Sequence, residues 1–325
     1  MASVTYHFES VAMPQRLFGP ETKNLELLES TLRLEATARD GWIQMDGAEP
    51  DVQRGKELFE VLEELSSDKG DVRSRDFRQA LNLIAEEDGA ALRACLKDRV
   101  HTSSKKGWIH PKTPGQKRYL DAIRDSGVTL GIGPAGTGKT YLAMAMGVSY
   151  LKQGAVDRLV LCRPAVEAGE ALGYLPGDLR EKISPYLRPL FDALHDMLPD
   201  DELERNQEKG VIEIAPLAYM RGRTLNNAFI ILDEGQNTTK DQMFMFLTRM
   251  GHGSRIVVTG DLTQVDLPRE KLSGLREARS ALADVDGVSV VELGKKDVVR
   301  HPLVQRIIQA YETSRGSQDD PRVRT

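Results

Sequence analysis

The segment "VTLGIGPAGTGKTYLAMAM", residues 128–146, constrains this chain more than any other. Val128 to Ile132 is a short apolar run that reads as a buried strand, and Tyr141 to Met146 reads as the first turns of a helix. Between them lie Gly133, Pro134, Ala135, Gly136, Thr137, Gly138, Lys139 and Thr140, which fit the GxxxxGK[ST] spacing of a phosphate-binding loop. Glycines carry no Cβ, so the backbone can curl with its N–H groups inward and let anionic oxygens come close. The helix that starts near Gly138 adds unpaired N–H donors and the positive end of its dipole. Lys139 would reach the β and γ phosphates of ATP, and the Thr140 hydroxyl would ligate Mg²⁺. The stretch Gly133 to Tyr141 is therefore the expected nucleotide cradle.

Strand and helix patterns alternate after residue 119. Apolar strand candidates lie at 128–132, 159–162, 211–215, 229–232, 256–259 and 288–292, with helical stretches separating most of them. That alternation predicts an α/β fold with a mostly parallel sheet covered on both faces. Within it, "AFIILDEGQN" gives a buried strand, Phe229 to Leu232, ending in Asp233 and Glu234. Asp233 would hold Mg²⁺ as the acidic residue of such a strand does, and Glu234 could polarise the attacking water as a general base. Further on, "RIVVTGDLTQVDLP" carries a strand followed by a GD-x-x-Q element, in which Gln264 would sense the γ phosphate.

The rest of the chain divides by pattern. Residues 1–96 read as a small α+β domain, 97–118 as a basic linker, 119–312 as the nucleotide-binding domain and 313–325 as a disordered polar tail. From about residue 18 the first of these shows helix, hairpin, helix, with Asp40-Gly41 at the hairpin turn. It then places Val52, Leu58, Phe59, Leu62 and Leu65 on one side of a helix. That outline is similar to KH-like RNA-binding modules but has no GxxG loop between its helices; a small cap or an oligomerisation domain fits the pattern equally well. The linker carries Lys97, Arg99, Lys105, Lys106, Lys112, Lys117 and Arg118 against Asp98, with Trp108 available for base stacking; a solvated hinge is the equal alternative. In the insert after the second parallel strand, Leu187, Leu190, Phe191 and Leu194 recur at helical spacing, which favours packing over a binding role.

Composition excludes several classes. The net charge of -5 rules out a chain that is basic throughout, so any contact with nucleic acid must be local. No apolar run of signal-peptide type opens the sequence and none is long enough to span a membrane, which gives a cytoplasmic expectation with no membrane partner. Cys95 and Cys162 are expected as reduced, packed thiols, and the six histidines have no ligand-like spacing.

Five stretches together carry a family resemblance: "GPAGTGKT", "RPAVEAGEALGYLPGDLREKISPYLRPLFDAL", "IEIAPLAYMRGRTLNNAFIILDEGQNTT", "TGDLTQVDLP" and "DVVRHPLVQRIIQAYE". From about 111 to 311 the chain resembles the PhoH-like P-loop ATPases, and its first hundred residues resemble that family's N-terminal region. The resemblance implies a RecA-like core similar to one motor lobe of superfamily-one helicases, and a link to RNA metabolism. It implies partners as well: RNA, an endoribonuclease of the YbeY type acting in ribosomal RNA maturation, and association with the ribosome. Gln116 sits where such helicases place an adenine-reading glutamine. Gly235 stands where the family carries alanine, a departure that loosens the strand tip. Only one such core is encoded, so a homo-oligomer is expected in which a neighbouring subunit supplies an arginine finger, Arg300 first, with Arg163, Arg221 and Arg223 behind it. The two functional readings are an ATP-hydrolysing protein that remodels RNA or supports a nuclease, and a slow nucleotide-dependent switch that recruits protein partners.

Overall fold

The computed structural model describes residues 1–18, 23–69, 74–86, 89–102, 108–164, 179–268, 270–299, 303, 304, 306–308, 310 and 311. They form two compact units, Met1–Asp121 and Ala122–Thr325.

The first unit opens with strand β1 (Ala2–His7) and helices α1 (Ala12–Phe18) and α2 (Lys23–Leu32). The hairpin comes next as β2 (Glu35–Arg39) and β3 (Trp42–Gly47), with Arg39 opposite Trp42 and Gly41 at φ 80° in the turn. Because β1 pairs antiparallel with β3, the sheet order is β1-β3-β2 and the second hairpin strand is central. Helices α3 (Glu49–Lys69), α4 (Ser74–Glu86) and α5 (Gly89–Lys97) complete the unit. Val52, Leu58, Phe59 and Leu62 of α3 are buried as their spacing predicts, among Phe8, Phe18, Ile43, Met45 and Phe77. Burial of several such side chains, each contributing about 1.5–3 kcal/mol, is what makes the amphipathic stripe of α3 hold the sheet.

Two features of this unit depart from the sequence reading. β1 and α1 precede the expected helix, hairpin, helix. The segment 97–118, expected as a linker, holds a two-stranded ribbon, β4 (Val100–His101) with β5 (Trp108–Ile109), and the start of helix α6 (Pro114–Asp125). Local ion pairs from Lys97 to Glu64 and from Lys117 to Asp98 and Asp121 engage two of its basic residues.

The second unit is built on β6 (Val128–Ile132), helix α7 (Lys139–Lys152), β7 (Arg158–Arg163), α8 (Leu179–Met197) and α9 (Asp200–Glu208). It continues with β8 (Ile212–Pro216), β9 (Ala228–Leu232), α10 (Lys240–Leu247), β10 (Arg255–Gly260), α11 (Gly274–Ala281) and β11 (Val288–Glu292). Six strands pair in the order β11-β6-β10-β9-β7-β8, all parallel. β9 is buried at every position, as a strand covered on both faces must be. Helix α7 packs so closely on the sheet that a Cβ at Gly147 would stand 2.7 Å from Leu159 and 3.0 Å from Phe229. In α8, Leu187, Leu190 and Leu194 are buried, which assigns the insert's apolar spacing to packing. Among the described residues no helix is long and apolar enough to cross a membrane.

Candidate functional site: a phosphate cradle beside an acidic strand tip

In a parallel sheet every strand delivers its C-terminal end to the same edge, and ligands collect where neighbouring connections diverge. Here the ends of β6, β9 and β10 meet at a cleft of about 310 Å³. It is lined by Ala135, Gly136, Gly138, Lys139, Thr140 and Tyr141 from the loop after β6, by Asp233 and Glu234 after β9, and by Gly260, Asp261 and Gln264 at and after the end of β10.

The loop takes its shape from residues that tolerate unusual backbone. Gly136 lies at φ 87° and Gly138 at φ 78°, left-handed conformations that favour glycine, and Gly138 caps α7. Gly133 has a different reason to be glycine: a Cβ there would come 2.5 Å from the carbonyl oxygen and 2.9 Å from the Cβ of Leu293, just beyond β11. Lys139 is buried and donates to the carbonyls of Gly133 (2.7 Å) and Pro134 (2.9 Å) and to the Thr137 hydroxyl (3.3 Å). Burial lowers its pKa, opposed by the charges of Asp261, Glu234 and Asp233. An ammonium so enclosed, with a helix N-terminus beside it, gains from an anion entering the cleft.

Opposite the lysine, Thr140 donates to Asp233 Oδ1 at 2.6 Å, and Thr259 donates to the same oxygen at 2.8 Å. These are hard oxygen donors, the kind Mg²⁺ prefers. Among the described residues no group of three or more His, Cys, Asp or Glu could hold a metal by itself. A hydroxyl plus one carboxylate, completed by phosphates and water, fits the way Mg²⁺ is usually held.

Glu234 sits next along the chain at φ 55° and ψ 40°, a left-handed conformation uncommon outside glycine. One of its oxygens meets Arg163 Nη2 at 3.2 Å, and the other accepts from the Gln236 amide. Gln236 in turn accepts from the Asp261 amide at 3.0 Å and donates to the Gln264 carbonyl at 3.2 Å, joining the ends of β9 and β10. Gln264 donates its own side-chain amide to Asp261 Oδ2 at 2.6 Å. Burial alone would raise the Asp261 carboxyl, but bonds from the Thr263 hydroxyl and amide and from Gln264, with the charge of Lys139, outweigh it and hold the group below the usual carboxylate range. Gly235 is not a loose point. A Cβ there would lie 2.6 Å from Val258 Cγ1 and 3.3 Å from the Thr259 carbonyl oxygen, so the tip is packed hard against β10.

The remaining predicted residues fall elsewhere. Gln116 belongs to the first unit, where its side-chain oxygen accepts the Lys112 amide at 2.7 Å. Arg300 lies outside the described residues. Arg223 is held by Glu213 through two bonds of 2.7 Å, and that pairing raises its pKa. Arg221 is exposed. Arg163, expected to act from a neighbouring subunit if at all, stands beside this chain's own Glu234. Gln236 as a bridge was not assigned from sequence, although its place two residues after Glu234 was the available signal.

A family model described as PhoH-like protein matches residues 108–312. The chain belongs to the PhoH-like family. A PhoH-like protein of Bacillus subtilis (strain 168) is 47% identical over 296 residues, covering 91% of this chain and 93% of its own length. Another from Mycobacterium tuberculosis (strain ATCC 25618 / H37Rv) is 48% identical over 296 residues, covering 91% of this chain and 84% of its own. Protein PhoH of Escherichia coli (strain K12) is 45% identical over 205 residues, covering 62% of this chain and 58% of its own. Among solved structures, a Sulfolobus solfataricus SWI2/SNF2 ATPase core in complex with dsDNA is similar at a TM-score of 0.35 and 14% identity, covering 62% of this chain and 47% of that one. In this PhoH-like chain one strand, β10, separates the phosphate-loop strand β6 from the acidic strand β9. Its cleft carries the residue pattern of a P-loop nucleotide-binding site.

Proposed function

We propose that this PhoH-like chain hydrolyses ATP with Mg²⁺. The observation that carries the reading is the meeting of Lys139, Thr140, Asp233 and Glu234 in one cleft, with Thr140 and Asp233 already 2.6 Å apart. Lys139 and the N–H groups of the loop bind and orient the β and γ phosphates, while Thr140 and Asp233 hold the metal. When bound, Mg²⁺ offsets the negative charge of those phosphates. Glu234 accepts the proton of a water whose oxygen bonds to the γ phosphorus, as the bond from that phosphorus to the bridging oxygen breaks and ADP leaves. Gln264, at the cleft wall, is suited to report whether the γ phosphate is present.

The output we propose is RNA remodelling, or support of an endoribonuclease of the YbeY type in ribosomal RNA maturation, by a homo-oligomer in which Arg300 of a neighbour completes the site. Membership of the PhoH-like family supports that reading, as does the ribbon β4–β5. There Trp108 is 49% exposed, with the Arg99 guanidinium 5.9 Å from its ring centre and His101 edge-on at 4.8 Å, a group of flat side chains suited to stacking on bases. The second reading, a slow switch that recruits partners, is favoured by one observation: both oxygens of Glu234 are engaged by Arg163 and Gln236.

The deciding experiment measures ATP hydrolysis by the full chain with and without structured RNA, beside Glu234→Gln. RNA-stimulated turnover in the parent and a loss of roughly 100-fold or more in the variant is expected. Normal hydrolysis by Glu234→Gln would remove the base assignment, and turnover indifferent to RNA, with ATP-dependent capture of protein partners, would favour the switch.

A further inference from the structure

Arg163 is the last residue of β7, and the β7–β9 register places Cys162 opposite Leu232. The Asp233 amide continues that pairing by donating to the Cys162 carbonyl at 2.8 Å. The side chain of Arg163 is thereby carried to the acidic tip by the sheet itself. Its planar fork serves separate elements: Nη2 meets Glu234 Oε1 at 3.2 Å, and Nη1 donates to the Tyr186 carbonyl of α8 at 3.1 Å, with Asp233 Oδ2 3.9 Å away. A guanidinium can do this because its donors diverge in one plane; an ammonium is a single point. The other oxygen of Glu234 is taken by Gln236. The carboxylate thus has a protein donor on each side, so each oxygen keeps a lone pair for a water proton but the group cannot turn to meet a water placed elsewhere while both bonds hold.

Helix α8 touches the site a second time. Tyr141, in the first turn of α7, donates its hydroxyl to Asp196 Oδ2 of α8 at 3.0 Å. Residues 186 and 196 are about 15 Å apart along a helix. One helix therefore holds both the helix that begins at the phosphate loop and, through Arg163, the side chain assigned as base.

We infer that Arg163 is a positioning residue that latches Glu234 to α8, and that α8 sets the rate of hydrolysis by holding or releasing it. The inference rests on Glu234 as the base. The pair suits a latch rather than a fixed strut because it is only partly enclosed, with the Arg163 side chain 21% exposed and that of Glu234 36% exposed. Interactions of this kind contribute modestly and can be exchanged for water.

The test compares the full-length parent with Arg163→Gln, Arg163→Lys and Glu234→Gln. Removing the latch should raise basal kcat roughly three- to tenfold, with KM for ATP changed by less than about twofold. Lysine, which keeps the charge but cannot bridge Glu234 and Tyr186 together, should fall between parent and glutamine variant. A readout independent of turnover is hydrogen exchange in the first half of α8, which should quicken in Arg163→Gln. An unchanged or lower kcat in Arg163→Gln, with Glu234→Gln inactive, overturns the latch and leaves the base in place; a lower kcat would give Arg163 a direct role on the phosphate. Parent-like hydrolysis by Glu234→Gln overturns both. If Arg163→Gln does not fold, Arg163→Lys decides alone: a rate above the parent supports the latch, and a rate at or below it overturns the latch.

Discussion

Replacing Gly235 by alanine should destabilise this chain, and the cause is chiefly a single neighbour. The new Cβ would stand 2.6 Å from Val258 Cγ1, against 3.5–4.0 Å for ordinary carbon contact. Val258 is fully buried on β10, between β6 and β9, and a β-branched side chain in a strand has little rotamer freedom with which to yield. The Thr259 carbonyl at 3.3 Å and Met243 Cε at 3.5 Å close the other directions. Forcing a methyl into such a site costs about 1–3 kcal/mol, or about 4–8 °C in Tm for a loss near 2 kcal/mol in a unit of this size. Val258→Ala alone removes two methyl groups and leaves a cavity, costing about 2 kcal/mol. Combined, the two changes should be less harmful than their sum by about 1–2 kcal/mol, because the alanine at 235 occupies space the valine vacated. Urea unfolding of the parent, both single variants and the double variant reads this directly. A neutral Gly235→Ala, or strict additivity in the double variant, would refute the packing argument.

Gly133→Ala should also cost about 1–3 kcal/mol in thermal unfolding without nucleotide, since its Cβ would meet the backbone oxygen of Leu293 at 2.5 Å; parent-like stability would show that β11 and its exit loop move aside. Asp261 should make the fold sensitive to acid. Its folded pKa lies below the unfolded value of about 3.9, so its contribution is complete above that value and is lost as pH falls through the folded one; the gap in urea midpoint between parent and Asp261→Asn should narrow below about pH 4, and a constant gap would contradict it.

What could be read in the sequence was what is local. The four inner strands β6, β7, β9 and β10 show as apolar runs because each is buried over most of its length, the edge strands β8 and β11 are apolar though less buried, and the cradle shows because its glycines and lysine lie close together between residues 133 and 139. β1 is absent from the sequence reading although its sequence, ASVTYH, alternates Ala2, Val4 and Tyr6 with Ser3, Thr5 and His7, the period of a half-buried strand. The β4–β5 ribbon has two residues per strand, too few for any period to register. Contacts between distant segments were out of reach for another reason. Arg163 meets Glu234 across 71 positions, and Gly133 meets Leu293 across the sheet, so neither could be inferred before strand order and register were known. The reading of Gly235 as slack failed in the same way: its neighbour Val258 belongs to another strand.

The left-handed backbone at Glu234 results from putting two adjacent carboxylates to work in one cleft. Successive side chains of an extended strand point to opposite faces, so a strand that simply continued through Asp233 and Glu234 would send one of them away. Instead Asp233 keeps the strand pairing through its amide to Cys162, and the turn begins at Glu234, with the Asn237 amide donating back to the Glu234 carbonyl at 3.0 Å. Asp233 thereby meets Thr140 and Thr259 while Glu234 meets Arg163 and Gln236, and both line the same cleft. The conformation costs about 1–2 kcal/mol in a non-glycine residue. Bonds from Thr238 hold the turn in place. This buried residue donates to the Gly235 carbonyl through its amide at 3.2 Å and its hydroxyl at 2.7 Å, and its own carbonyl accepts the Gly274 amide at 2.8 Å where α11 begins. A glycine at 234 would make the turn at less cost but would bring no carboxylate, so strain at this one position is the expected consequence of a second acid beside the first.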